Sequence, residues 1–80
     1  MTHAVLWSER AINAAAGFLS DDAPGLRQLL AAVDQLADDP QPASSVQYGS
    51  PALRRLRVGR YRVLYEISDV ITVIHVGRLG

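Results

Sequence analysis

The sequence contains no cysteine and no lysine. Without cysteine, neither a disulfide framework nor a thiolate metal site is available. Two histidines, His3 and His75, are too few for a zinc site. No apolar run approaches membrane-spanning length. The N-terminus lacks a basic region followed by an apolar stretch, so no signal peptide is expected. A phosphate-binding P-loop, a glycine-rich dinucleotide motif, a nucleophile elbow and paired-metal spacing are all missing, as are homeodomain and zinc-finger signatures. These absences point to a cytoplasmic protein with no metal, cofactor or membrane partner.

What is present is enough for one small domain spanning residues 1–80. Hydrophobic residues make up 49% of the chain and charged residues 20%, a globular rather than a disordered balance. The net charge is zero, and that value conceals a split. Residues 1–50 carry two arginines against six acids (Glu9, Asp21, Asp22, Asp34, Asp38, Asp39), a balance of −4, while residues 51–80 carry six arginines against Glu66 and Asp69, a balance of +4. Such polarity suggests that the C-terminal part meets a polyanion or an acidic partner. Use of arginine alone suits bidentate phosphate contacts. A GC-rich genome accounts for the bias as well, though not for the clustering.

His3 to Trp7 is short, apolar and β-compatible, so it reads as a first strand with Trp7 packing at its end. Ser8 can cap a following helix, with Glu9 in its first turn. Ala11, Ala15 and Phe18, and Ile12, Ala15 and Leu19, mark adjoining stripes at helical spacing. Asp21-Asp22-Ala23-Pro24 opens a second helix whose apolar face is Leu26, Leu29, Val33 and Leu36. Asp38-Asp39-Pro40-Gln41-Pro42 stops it, and 43–51 reads as a polar loop. Tyr48 in that loop is either an incidental aromatic or a residue that stacks on a base. Val70 to Val76 is a nearly continuous β-branched run, expected of a central strand. The order β-α-α-β-β-β defines an α+β fold, a small antiparallel sheet with a helical hairpin packed on one face.

Residues 53–65, LRRLRVGRYRVLY, hold five of the eight arginines in a hairpin pattern. Gly59-Arg60 suits a two-residue type II′ turn. Folding about it sets Val58 opposite Tyr61, Arg57 opposite Arg62, Leu56 opposite Val63 and Arg55 opposite Leu64. One face then carries Leu56, Val58, Tyr61, Val63, Tyr65 and Ile67 toward the core, and the other carries Arg55, Arg57 and Arg62. Like charges directly opposed cost stability, so this face is either an anion site or a solvated surface from which the arginines splay into water. Glu66 reads as a charge partner for a neighbouring arginine. A second two-residue turn at Ser68-Asp69 would set Tyr65 opposite Thr72, Val63 opposite Ile74 and Arg62 opposite His75. That register brings His75 to the basic face, and a one-residue slip would turn it toward the core.

With the hairpin placed, the chain resembles the RelE/ParE superfamily of type II toxins. The likeness rests on Leu56-Arg57-Val58-Gly59-Arg60-Tyr61-Arg62-Val63-Leu64-Tyr65-Glu66-Ile67, close to the family's LRVGxYRVxYEI core, and on Val76-Gly77-Arg78, similar to the ending of its last strand. RelE-like members cleave mRNA in the ribosomal A site without metal. ParE-like members inhibit DNA gyrase. The resemblance therefore implies a toxin of a type II toxin–antitoxin system. The expected activity is that of a ribosome-dependent, metal-independent mRNA endoribonuclease that inhibits translation. The alternative is a ParE-like gyrase inhibitor, or a weakened toxin acting by binding alone.

Carried over by position, Arg62 matches the arginine of the family's YR step near the scissile phosphate. Arg57 matches a commonly basic position, Arg55 falls where RelE-like nucleases place a lysine, and Arg78 is the basic residue after the final glycine. RelE-like enzymes usually continue with a second basic residue and an aromatic. Here Leu79 and Gly80 follow, so His75 or Tyr61 is the expected substitute. The expected catalytic set is Arg62, Arg57 and His75. Arg55, Arg54, Arg60, Arg78 and Tyr61 are expected to bind RNA phosphate. Fixed cations stabilise a developing phosphorane, and an imidazole can serve as acid or base near neutrality. His75 also reads as a half-buried strand histidine. The implied partners are a cognate antitoxin, bound in a hetero-oligomer, and mRNA on the ribosome.

Overall fold

The computed structural model describes residues 2–79, so Gly80, where the C-terminal reading ends, lies outside the described residues. The elements run β1 (Ala4–Trp7), α1 (Glu9–Asp21), α2 (Ala23–Gln35), β2 (Ser45–Tyr48), β3 (Ser50–Val58), β4 (Tyr61–Ile67) and β5 (Val70–Arg78). The strands form one sheet in the order β1-β5-β4-β3-β2. The β1–β5 pair is parallel and the other pairs are antiparallel. The helices cover one face, as the apolar patterning requires.

Local signals explain both helices. The Ser8 side chain accepts the Ala11 amide at 3.1 Å and starts α1. Asp22 ends α1 and begins α2, its carboxylate accepting the Gly25 amide at 3.1 Å, with Pro24 in the first turn. From the helices Ala11, Leu26, Leu29, Val33 and Leu36 enter the core, and they meet Leu56, Tyr61, Val63, Tyr65, Ile71, Val73 and Val76 from the sheet. Burial of each large aliphatic side chain among these stabilises the fold by roughly 1.5–3 kcal/mol. Of the two stripes expected on α1, only the one through Ala11, Ala15 and Phe18 packs inward. Ile12 and Leu19 stay 52% and 45% exposed.

The structure differs from the sequence reading in three places. The sheet is mixed rather than wholly antiparallel, because β1 pairs in parallel with β5. Ser45–Tyr48, expected to be loop, is a fifth strand, paired with β3 through Ser45↔Leu56, Val46↔Arg55 and Gln47↔Arg54. It buries only Ser45, so its strand character comes from pairing to a distant segment rather than from its own pattern. The register of β4 on β5 also departs from expectation. Tyr65 pairs with Val73, Leu64 with His75, Val63 with Val76 and Arg62 with Gly77, not with Thr72, Ile74 and His75 as predicted. The turn is one residue longer than predicted, since Ile67 pairs with Ile71. That slip alone would turn His75 inward. A β-bulge leaves Ile74 without a cross-strand partner and reverses the alternation, so His75 returns to the outer face. The β3–β4 hairpin forms in the predicted register, with Arg57 opposite Arg62. Gly59 has φ +57 while Arg60 has no positive φ, as a type II′ turn requires.

Candidate functional site

The outer sheet face, remote from the helices, gathers four of the eight predicted site residues. Arg55 and Arg57 project from β3, Arg62 from β4 and His75 from β5. Arg57 and Arg62 are direct cross-strand partners and both are exposed. The Arg57 Nε donates to the Gly59 carbonyl at 3.2 Å, which fixes its stem along the turn. Arg55 stacks on Tyr48 of β2, its guanidinium carbon 5.3 Å from the ring centroid. Among the described residues no carboxylate lies within ion-pairing distance of Arg55, Arg57 or Arg62. Glu66, expected to neutralise one of them, forms no ion pair there either. Three uncompensated cations on one surface repel each other, and an anion removes that repulsion.

Two shallow clefts divide this face. One, of about 280 Å³, lies between Ser44, Val46, Arg57 and Leu79. The other, of about 250 Å³, lies between Tyr48, Leu64, His75 and Gly77. Arg55 and Arg62 line both, so the two arginines form a shared wall. The His75 Nδ1 is buried and has no hydrogen-bond partner among the described residues. An orphaned donor costs more than an orphaned acceptor, so the proton belongs on Nε2, which faces the Gly77 side of the cleft.

The other four predicted residues sit on the opposite side. Tyr61, expected to contact RNA, is 2% exposed in the core, and its hydroxyl donates to Asp22 at 2.9 Å. Arg60 pairs with the same carboxylate at 3.4 Å. Arg78 reaches Asp21 at 3.7 Å and lies over the Phe18 ring at 5.0 Å. Arg54 shares the inner face with Tyr65 and donates to the Ser45 hydroxyl and carbonyl at 3.0 and 3.1 Å. These side chains fasten helices, edge strand and sheet together and are spent on the protein itself. The Tyr61 hydroxyl foremost, then the Gly25 amide and Arg60, hold the Asp22 carboxyl below the usual carboxylate range.

Sequence reasoning passed over Gly77, Leu64, Val46 and Ser44 as site residues. Gly77 carried a usable signal, a glycine inside an otherwise β-branched strand. Val46 and Ser44 depended on the fifth strand, whereas Leu64 was already set opposite Arg55 on the outer face by the predicted hairpin.

A sheet of this order, with two helices on one face and on the other three arginines that form no ion pair among the described residues, defines a recognisable architecture. The solved archaeal RelE–RelB complex from Pyrococcus horikoshii contains a chain 26% identical to this one, with TM-score 0.82, covering 100% of this chain and 98% of that one. A mutant of the E. coli toxin RelE in the free state is 24% identical, with TM-score 0.79, covering 98% and 84% respectively. The chromosomal ParDE system from P. aeruginosa is similar in fold, with 12% identity, TM-score 0.74 and coverage of 99% and 98%. No curated protein matches the sequence. The family model for the ParE toxin of type II toxin–antitoxin systems, parDE, matches residues 5–79, and the chain belongs to that family. It is thus a type II toxin of the RelE/ParE superfamily, in agreement with the resemblance carried by its hairpin. Among the described residues no helix is long and apolar enough to cross a membrane.

Proposed function

We propose that this toxin acts in the cytoplasm on mRNA held by the ribosome, cutting it through the outer sheet face. The observation that carries this reading is the convergence of Arg55, Arg57 and Arg62 around two clefts with no carboxylate in ion-pairing distance among the described residues. In the cut, the ribose 2′-oxygen attacks the adjacent phosphorus and its proton passes to solvent. The bond from phosphorus to the 5′-oxygen breaks, leaving a cyclic phosphate and a 5′-hydroxyl. Arg57 and Arg62 neutralise the charge that grows on the phosphoryl oxygens. The departing 5′-oxygen takes its proton from solvent, with the His75 Nε2–H placed to donate a hydrogen bond to that oxygen as the bond breaks. So few groups suffice because the ribosome positions the message, which supplies the orientation an enzyme otherwise builds for itself.

A cognate antitoxin completes the system, as in the toxin–antitoxin complexes among the structural neighbours. Its acidic part suits the unneutralised arginines, and its apolar part suits exposed Ile12 and Leu19 on α1. The match to the ParE family favours a second reading, inhibition of DNA gyrase by binding alone.

Primer extension on translated mRNA after induced expression separates the two. Codon-phased cuts are expected from the wild type, and Arg62→Ala should reduce cutting about 10²–10³-fold, the usual cost of removing a group aimed at transition-state charge. Intact message with growth arrest, together with inhibited supercoiling by the purified protein, would establish the gyrase reading instead.

A further inference from the structure

Gly77 occupies a position that does not require glycine for its backbone. Among the described glycines only Gly49 and Gly59 have positive φ, at +81° and +57°. Gly77 has ordinary strand geometry inside β5, where glycine weakens the strand. A Cβ there would stand 3.7 Å from the His75 Nε2 and 3.8 Å from the Cγ and Nε of Arg62. Those are ordinary contact distances, so a methyl group fits, whereas a branched side chain would reach into the cleft. The missing side chain keeps open the space between an imidazole donor and a guanidinium.

Tyr48 closes the same cleft from the other end. The residue is 48% exposed on an edge strand and takes no part in the core. Stacking of Arg55 on the ring holds its plane while leaving ring surface free. Leu64 supplies an apolar wall between the two ends. A flat heterocycle satisfies all of these features together. It stacks on an aromatic ring, covers an apolar side chain, accepts a hydrogen bond at its edge from His75 Nε2 and carries a phosphate toward Arg55 and Arg62.

We propose that the Tyr48–Gly77 cleft is a nucleobase pocket for single-stranded RNA, with Tyr48 as the stacking platform and Gly77 as the residue that sets its depth. The inference rests on the RNA reading above and adds a recognition element to it. Arg55 and Arg62 anchor the backbone of any sequence, while the pocket reads whether a base is present and how large it is.

The test is a double-mutant cycle between protein and ligand. The probe is a labelled tetranucleotide with deoxyribose at every position, which cannot be cut, and its analogues carrying one abasic site at each position in turn. Binding to the free toxin is followed by fluorescence anisotropy at low salt. Tyr48→Ala should weaken binding about tenfold, as loss of one base stack does, while Tyr48→Phe and Tyr48→Trp bind as the wild type does. One abasic analogue should lose the same factor against the wild type and almost nothing against Tyr48→Ala. Gly77→Val should lose the base contribution while its thermal midpoint is unchanged or raised, an effect that a purely structural glycine would not show. If binding persists but every abasic loss is additive with Tyr48→Ala, the pocket is wrong and the arginine face alone holds RNA. If the wild type binds no oligonucleotide, the pocket falls together with the RNA reading.

Discussion

Asp22 concentrates several duties in one carboxylate. It caps α2 through Gly25, accepts the Tyr61 hydroxyl and pairs with Arg60. Because these contacts favour the ionised form, its folded-state pKa lies below the ordinary carboxylate value of 3.8. The stabilisation is therefore present above the unfolded-state value and is lost as pH falls through the depressed folded one. Asp22→Asn is expected to lower the thermal midpoint at pH 7, with the gap to the wild type closing below about pH 4. Melting curves across that range check it, and a gap that stays constant into acid would contradict the charge contribution. The sequence showed Asp22 as a cap, since that role depends on near neighbours. Its bond to Tyr61 joins residues 39 positions apart and leaves no local trace. Strand alternation had already turned Tyr61 inward, and it proved a better guide to its placement than the family motif that contains it.

Strand β5 is tied to the start of α1 by its irregularity. The Ser8 hydroxyl donates to the carbonyl of Ile74, the bulged residue, at 2.8 Å while accepting from Ala11. The Ser8 amide donates to Val73 at 2.9 Å. One serine thus caps a helix and engages the carbonyl of the residue that the bulge leaves without a cross-strand partner. Ser8→Ala should cost about 1–2 kcal/mol in urea unfolding, more than an exposed cap alone would. A loss near zero would show that the bulge carbonyl finds another donor. The elements legible in advance were those with local punctuation: the Ser8 and Asp22 caps, the proline stop after α2 and the Gly59 turn. Strand β2 and the β4–β5 register were not. One buried serine followed by three exposed residues has no strong period, and a bulge breaks the counting rule on which strand faces are inferred.

Over the whole molecule, charge is sorted by layer. Arg60 and Arg78 are neutralised by Asp22 and Asp21, leaving Arg55, Arg57 and Arg62 to act outward. Three cations engaging three phosphates of a single strand give a slope of about −2 for log K against log salt. Replacing Arg62 by alanine should lower its magnitude by about 0.7, measurable by titration at several salt concentrations. A slope unchanged by that substitution would remove Arg62 from the contact surface. On the helix side the exposed acids Glu9, Asp34, Asp38 and Asp39 outnumber Arg10 and Arg27, and on the outer sheet face Arg55, Arg57 and Arg62 outnumber Glu66, so the formally neutral molecule is a dipole lying across its two layers. A polyanion pulls a neutral dipole only through the gradient of its field, a short-ranged force, but it also exerts a torque. The toxin is turned like a compass needle before it touches anything, and it arrives with the arginine face leading. Its neutrality costs it attraction at long range and leaves its aim intact.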